Sequence, residues 1–176
     1  MIMNIFLLGY MGAGKSFFGK ALSEYLSLPN FDLDLIIEKD SSMSIDKIFK
    51  DFGENYFRSL EEKKLSELIN NYENYIVSCG GGTPYYSNNL NKMNKHGITI
   101  YLKRNPDYLY EYLSKSKSKR PIFSSLANKE NFVLHFEQRE FVYLQSKIII
   151  DCDNYLSNSE IVENIKNQLN DYRFKK

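Results

Sequence analysis

The sequence holds no tryptophan and only two cysteines, Cys79 and Cys152, with no metal-ligand spacing between them or to its two histidines, His96 and His135. A disulfide framework and a zinc site are therefore not expected; two free thiols in a reducing cytoplasm are. Neither sign of charge dominates. The 23 basic and 22 acidic residues leave a formal net charge of +1, so neither a nucleic acid nor a membrane surface is an expected partner. Long apolar runs are missing too. The opening from Met1 to Gly14 lacks a basic flank, is too short to span a bilayer, and contains a glycine loop that cleavage would remove, so it reads as a first core strand. No internal repeat is evident. With 176 residues, 43% of them hydrophobic, a single domain can bury a full core without staples.

What is present is organised around Gly9-Tyr10-Met11-Gly12-Ala13-Gly14-Lys15-Ser16, which reads G-x-x-x-x-G-K-S. Before it, Ile5 to Leu8 form the continuous apolar run of a strand buried on both faces. After it, Phe17, Leu22 and Leu26 fall on helical spacing. Strand, loop and helix are the context this motif needs to bind a triphosphate. A backbone nearly free of side chains can wrap the phosphates, and the helix start adds N–H donors and a positive dipole end. Gly12, Ala13, Gly14, Lys15, Ser16 and Phe17 are the candidate ATP-binding residues, with Lys15 as a mobile cation and the Ser16 hydroxyl placed for Mg²⁺. Phe17 lacks the hydroxyl often found after that serine, so only its backbone donor is available.

Further along, Asn30 to Asp34 reads as a short second strand ending in two carboxylates, Asp32 and Asp34, which point the same way from an extended segment. Asp32 would face metal and phosphates, and Asp34 the acceptor, although Asp34 could equally cap a helix over Leu35 to Lys39. Ser44 opens a helix that Gly53 closes; a second runs from Glu54 to about Asn71, with Arg58 in its first turn, where a cation is not favoured structurally. Tyr75 to Cys79 is a third strand, followed by Gly80-Gly81-Gly82, a triplet suited to close approach by a ligand. Ser87 to His96 is a helix, Ile98 to Leu102 a strand, and Pro106 to Leu113 a helix. The polar, basic stretch Ser114 to Pro121, containing Arg120, is a candidate lid spanning about 113–125. Asn128 to Gln145 is a helix carrying Arg139, Ile148 to Ile150 a fifth strand, and Ser157 with Glu160 a capping box before the last helix. The basic tail Arg173 to Lys176 is expected to fray.

The phosphate loop, the run from Asp32-Leu33-Asp34 through Gly53 to Glu61, the glycine triplet, the pair Arg120-Pro121, and Arg139 with Tyr143 together resemble the shikimate kinase family over nearly the whole chain. The resemblance implies an α/β, three-layer P-loop fold of the nucleoside-monophosphate-kinase type: a five-stranded parallel sheet, order 2-3-1-4-5, flanked by helices, plus a mobile lid. It implies transfer of phosphate from ATP to shikimate, giving shikimate 3-phosphate and ADP in aromatic amino-acid synthesis. Asp34 would hold or deprotonate the acceptor hydroxyl. Arg58 and Arg139 would grip the carboxylate, the Gly80 to Gly82 backbone the ring hydroxyls, and Arg120 the transferring phosphate. Ser16 would hold Mg²⁺ directly and Asp32 through water. A cytoplasmic monomer with ATP and shikimate as its small-molecule substrates is the expectation. Two stretches depart from the pattern. Tyr112 stands where many members carry an arginine that stacks on adenine, and Asp153-Asn154-Tyr155 has no obvious match, so the base contacts stay open. Competing readings are a gluconate-type kinase on the same fold, a non-catalytic binding protein, and a nucleic-acid-dependent ATPase.

Overall fold

The computed structural model describes residues 3–116, 120–155 and 157–174. Its centre is β1 (Asn4–Leu8), every residue of which is buried. Side chains alternate along a strand, and here both faces meet core: Ile5 and Leu7 join one hydrophobic cluster, Phe6 and Leu8 another. That double burial explains the unbroken apolar run. Strands β2 (Asn30–Asp32), β3 (Tyr75–Ser78), β4 (Ile98–Lys103) and β5 (Ile148–Asp151) complete a sheet of order β2-β3-β1-β4-β5, as expected, with every pairing parallel.

Helices cover both faces. On the side of Ile5 and Leu7 pack α1 (Lys15–Leu26), α5 (Pro106–Lys115), α7 (Lys129–Tyr143) and α8 (Asn158–Phe174), through Leu22, Leu109, Phe132, Phe136 and Ile165. The opposite side takes α2 (Leu33–Ser41), α3 (Ile45–Asn71) and α4 (Asn89–His96), through Leu33, Ile37, Phe57, Leu65 and Met93. The register pairs Leu7 with Ser78 and Ser78 with Asp32, so β1, β2 and β3 end at one level. Their following segments therefore open at one edge of the sheet, where ligands of open α/β folds bind.

Three boundaries differ from expectation. The second strand stops at Asp32, not Asp34, because the Asp32 carboxylate caps α2 by accepting from the Asp34 and Leu35 amides at 3.2 and 3.3 Å. Asp34 is thus neither extended nor the cap; it lies in the first turn of α2. The helices on either side of Gly53 are continuous in hydrogen bonding but kinked there, at φ +80° and ψ 173°. A short helix, α6 (Pro121–Ser125), was not foreseen; Pro121 begins it with Arg120 as its cap residue. The capping box before α8 forms as read, with the two reciprocal bonds at 3.2 and 3.3 Å. Of the expected lid, Lys117, Ser118 and Lys119 lie outside the described residues, as do Lys175 and Lys176 of the tail and Met1 and Ile2 of the opening.

Gly97, between α4 and β4, lies so close to β1 that a Cβ there would overlap the Asn4 carbonyl oxygen and press on Phe6. Backbone cannot swing away as a flexible side chain can. Gly97→Ala is expected to lower unfolding stability by about 1–3 kcal/mol, the usual range for overpacking, measured by denaturant titration; an unchanged midpoint would contradict this packing.

Candidate active site

Gly14 has φ +92°, and a Cβ on it would come within 2.9 Å of the Phe18 ring, so both conformation and space call for glycine. This turn places Lys15 at the start of α1. Its ammonium folds back over the loop and donates to the carbonyl oxygens of Gly9 and Tyr10 at 2.8 and 2.9 Å. Burial, and then the Arg120 charge, bring the Lys15 pKa down to about 8, while the Asp34 carboxylate opposes that shift. Next in sequence, the Ser16 hydroxyl donates to Asp32 Oδ2 at 2.5 Å, so the cap of α2 and the start of α1 share one oxygen-rich corner.

Asp34 faces the same space from α2. Its Oδ1 is buried without a hydrogen-bond partner among the described residues. Burial first, then the charges of Glu61 and Asp32, push its pKa up to about 6; Lys15 and Arg120 pull the other way. An orphaned buried carboxylate oxygen is costly to maintain.

Two hollows meet at this point. The larger, about 1460 Å³ and open to solvent, is lined by Gly12, Gly14, Lys15, Ser16, Phe17, Asp32 and Tyr112 among others. The smaller, about 510 Å³ and likewise open to solvent, is lined by Arg58, Glu61, Gly80 to Gly82, His135 and Arg139 among others. Asp34 and Arg120 line both. A group transferred from one hollow to the other would pass between them. Ala13 is buried with Tyr10 and Met11 of the same loop, and its amide donates to the Tyr10 carbonyl at 3.2 Å.

The smaller hollow is walled by a buried charge network. Arg58, 5% exposed, donates to Glu61 at 2.5 Å and to Glu54 at 2.7 Å, and lies 4.6 Å from the Tyr86 ring centroid. Thr83 donates to the other Glu61 oxygen at 2.5 Å. The favourable Arg58 charge in an early helical position is explained by these two acids, at i−4 and i+3 on the same helix. The same network explains two glycines of the triplet, Gly80 and Gly82. A Cβ on Gly82 would overlap the Arg58 guanidinium, and one on Gly80 would overlap Glu61 and touch Asp34 at 3.0 Å. Gly81 is held by its carbonyl, which accepts from the buried Tyr143 hydroxyl of α7.

Arg139, 6% exposed on α7, has no carboxylate paired to it among the described residues; its guanidinium lies 5.3 Å from the Tyr85 ring centroid. The structure thus gathers the sequence-predicted Lys15, Ser16, Asp32, Asp34, Arg58, Gly80 to Gly82, Arg120 and Arg139 around two joined hollows. Sequence reasoning missed Glu54, Glu61, Thr83, Tyr10 and His135. Only the two glutamates carried a local signal, their helical spacing to Arg58.

These features agree with what the chain is similar to. The family model described as shikimate kinase matches residues 11–170. A shikimate kinase of Flavobacterium johnsoniae is 42% identical over 154 residues, covering 84% of this chain and 90% of that protein. One of Azobacteroides pseudotrichonymphae is 40% identical over 165 residues, covering 92% and 96%. Among solved structures, shikimate kinase from Bacteroides thetaiotaomicron superposes with a TM-score of 0.86 at 33% identity, covering 97% of this chain and 99% of that one. Shikimate kinase from Acinetobacter baumannii in complex with shikimate gives 0.87 at 25% identity, covering 97% and 95%. A P-loop fold, a phosphate-binding corner joined to a cationic hollow, and these likenesses together place the chain in the shikimate kinase family.

Proposed function

We propose that the chain transfers the γ-phosphoryl group of ATP to the 3-hydroxyl of shikimate, giving shikimate 3-phosphate and ADP on the route to chorismate and the aromatic amino acids. The observation that carries this reading is the junction of the two hollows at Asp34 and Arg120, with a phosphate loop on one side and Arg58 and Arg139 on the other. The acceptor oxygen forms a bond to the γ-phosphorus as the bond to the β,γ-bridging oxygen breaks. Asp34 orients the hydroxyl and can take its proton; with a pKa of about 6 in the free protein it is mostly ionised at neutral pH. Lys15 releases the loop carbonyls to meet the β- and γ-phosphates, and Arg120 meets the transferring group.

Arg58 and Arg139 hold the acceptor carboxylate, since two planar guanidinium groups can grip it with charge-assisted bonds. The Gly80 to Gly82 backbone lies against the ring hydroxyls. Ser16 and Asp32 fit Mg²⁺: two hard oxygen donors beside a phosphate site suit an ion that keeps several waters, and no group of three or more metal-binding side chains exists among the described residues. The ion supplies charge neutralisation on the phosphate oxygens. Gly12, Gly14, Phe17 and Tyr112 border the ATP side.

We assign one domain to 1–176, with residues 33–61 as the acceptor-binding segment and 113–125 as a lid that brings Arg120 over the phosphates. We assign it to the cytoplasm as a monomer; two free buried thiols suit a reducing compartment. No helix among the described residues is long and apolar enough to cross a membrane.

The reading is tested by ADP release from Mg²⁺-ATP with shikimate, with gluconate, and with a shikimate analogue lacking the carboxylate. Release that depends on shikimate and is lost with the analogue is expected; equal slow release in every case would overturn the assignment. A single substitution separates chemistry from stability. Asp34→Asn is expected to lower turnover about 10²–10⁴-fold, the range of a positioned acid–base group. The raised pKa means that ionised Asp34 costs the free protein stability above pH 6, a cost that fades as pH falls from 6 towards 3.8. Asp34→Asn should therefore be more stable than wild type at pH 8, by roughly 1–3 kcal/mol, and the advantage should shrink towards pH 4. Near-normal turnover, or lower stability at pH 8, would contradict this role.

A further inference from the structure

Tyr10 and His135 form a pair inside the acceptor hollow that the reaction as described leaves without a task. Tyr10 belongs to the phosphate loop, yet its ring is 1% exposed and packs edge-on against Phe132 and Phe136 of α7, each at 5.3 Å between centroids. Its hydroxyl meets His135 Nδ1 at 2.5 Å. One turn further along α7, Arg139 donates to the His135 carbonyl at 3.5 Å, so His135 and Arg139 share the face that borders the hollow.

The hydrogen in that contact can be placed by elimination. Burial pushes the Tyr10 pKa up, so the hydroxyl keeps its proton. A buried O–H must donate, and the His135 Nδ1 lone pair is the acceptor it has among the described residues. Nδ1 is then bare, and Nε2 carries the ring proton. Burial first and the Arg139 charge second, with Glu54 opposing and Arg58 adding least, hold His135 to a pKa of about 4, so the ring is a neutral donor. A third cation here would repel the two arginines; a neutral N–H adds a directional bond without that repulsion.

We propose that His135, fixed by Tyr10 as the Nε2–H tautomer, is a third donor to the acceptor's anionic group beside Arg58 and Arg139, and that the pair helps set specificity for that group. This rests on the acceptor assignment above. Tyr10 is a positioning residue in it, acting through the imidazole.

The chain has two histidines, and they should differ. His96 Nδ1 lies 2.8 Å from the Lys92 carbonyl oxygen, which can only accept, so His96 carries its proton on Nδ1. Nitrogen NMR of the histidine-labelled full chain at pH 7.5 is expected to show one residue of each tautomer. Saturating shikimate should shift His135 Nε2, and Tyr10→Phe should mix the His135 tautomers. His135 found as Nδ1–H, or an Nε2 signal indifferent to shikimate, would overturn the proposal.

Kinetics gives an independent reading. His135→Leu should raise the shikimate KM about 10- to 100-fold, as for loss of a hydrogen bond to a charged group, with the ATP KM within about twofold. His135→Gln, which restores a neutral N–H donor, should recover most of that loss, and the gap between wild type and His135→Leu should close on the analogue lacking the carboxylate. An unchanged KM in His135→Leu, or equal damage in Leu and Gln variants with a lowered melting temperature, would mark His135 as packing alone. Wild type without shikimate-dependent ADP release would sink the acceptor assignment and this ligand role together, whereas a normal wild type with an indifferent His135→Leu would sink only this inference.

Discussion

Lys15 and Asp34 are opposite charges held in a buried corner without being paired to each other, and the rest of the site is built to tolerate that. Lys15 spends its donors on the carbonyl oxygens of its own loop, and Asp34 keeps one oxygen without any partner among the described residues. Burial first of all, then the Arg120 charge on Lys15 and the Glu61 and Asp32 charges on Asp34, moves the pKa of each towards neutrality, to about 8 and about 6. Such unmet charge is what a phosphate and a hydroxyl would satisfy. The sheet makes the arrangement possible by ending β1, β2 and β3 at one level, so that the loop, the first turn of α2 and the glycine triplet face one another.

The two arginines of the smaller hollow differ in a way that bears on how they work. Arg58 is already paired with Glu54 and Glu61 and lies 5.2 and 4.6 Å from the Phe57 and Tyr86 ring centroids, so an arriving carboxylate must share it. Removing its side chain would also strand a buried glutamate, a loss typically of several kcal/mol. Arg139 has no such anionic partner among the described residues; it donates to the His135 carbonyl at 3.5 Å and lies 5.3 Å from the Tyr85 ring centroid. Arg58 is therefore a scaffold that also presents a donor, while Arg139 supplies uncompensated charge. Gly80 and Gly82 belong to the same scaffold: their missing side chains make the volume that Glu61, Asp34 and Arg58 fill.

How much of this could be read from sequence depended on whether the cause was local. The run Ile5 to Leu8 followed by the glycine loop reports its own environment, so β1, the loop and α1 were legible at once. The sheet order came only through resemblance to a family, because parallel pairing joins residues far apart in the chain. The boundary after Asp32 was misplaced because aspartate both ends strands at ligand sites and caps helices, and only the structure shows it accepting from the Asp34 and Leu35 amides. α6 was hidden because a five-residue helix has no period to detect. Arg58 was found, but its partners were not weighed with it, although Glu54 and Glu61 sit at helical spacing. Tyr10 and His135 could not have been joined: 125 residues separate them, and only the packing of α7 over the loop brings them together.

The most direct test of a poised, unpaired carboxylate is the titration of Asp34 itself, followed by carboxyl carbon NMR from pH 4 to 8 in the free protein, with Asp34→Asn to identify the signal. A midpoint near 6, moving higher in Lys15→Met as an attractive charge is removed, is the predicted result. A midpoint near 4 that ignores Lys15→Met would mean that Asp34 is ordinarily solvated and that the corner is not charged in the way described.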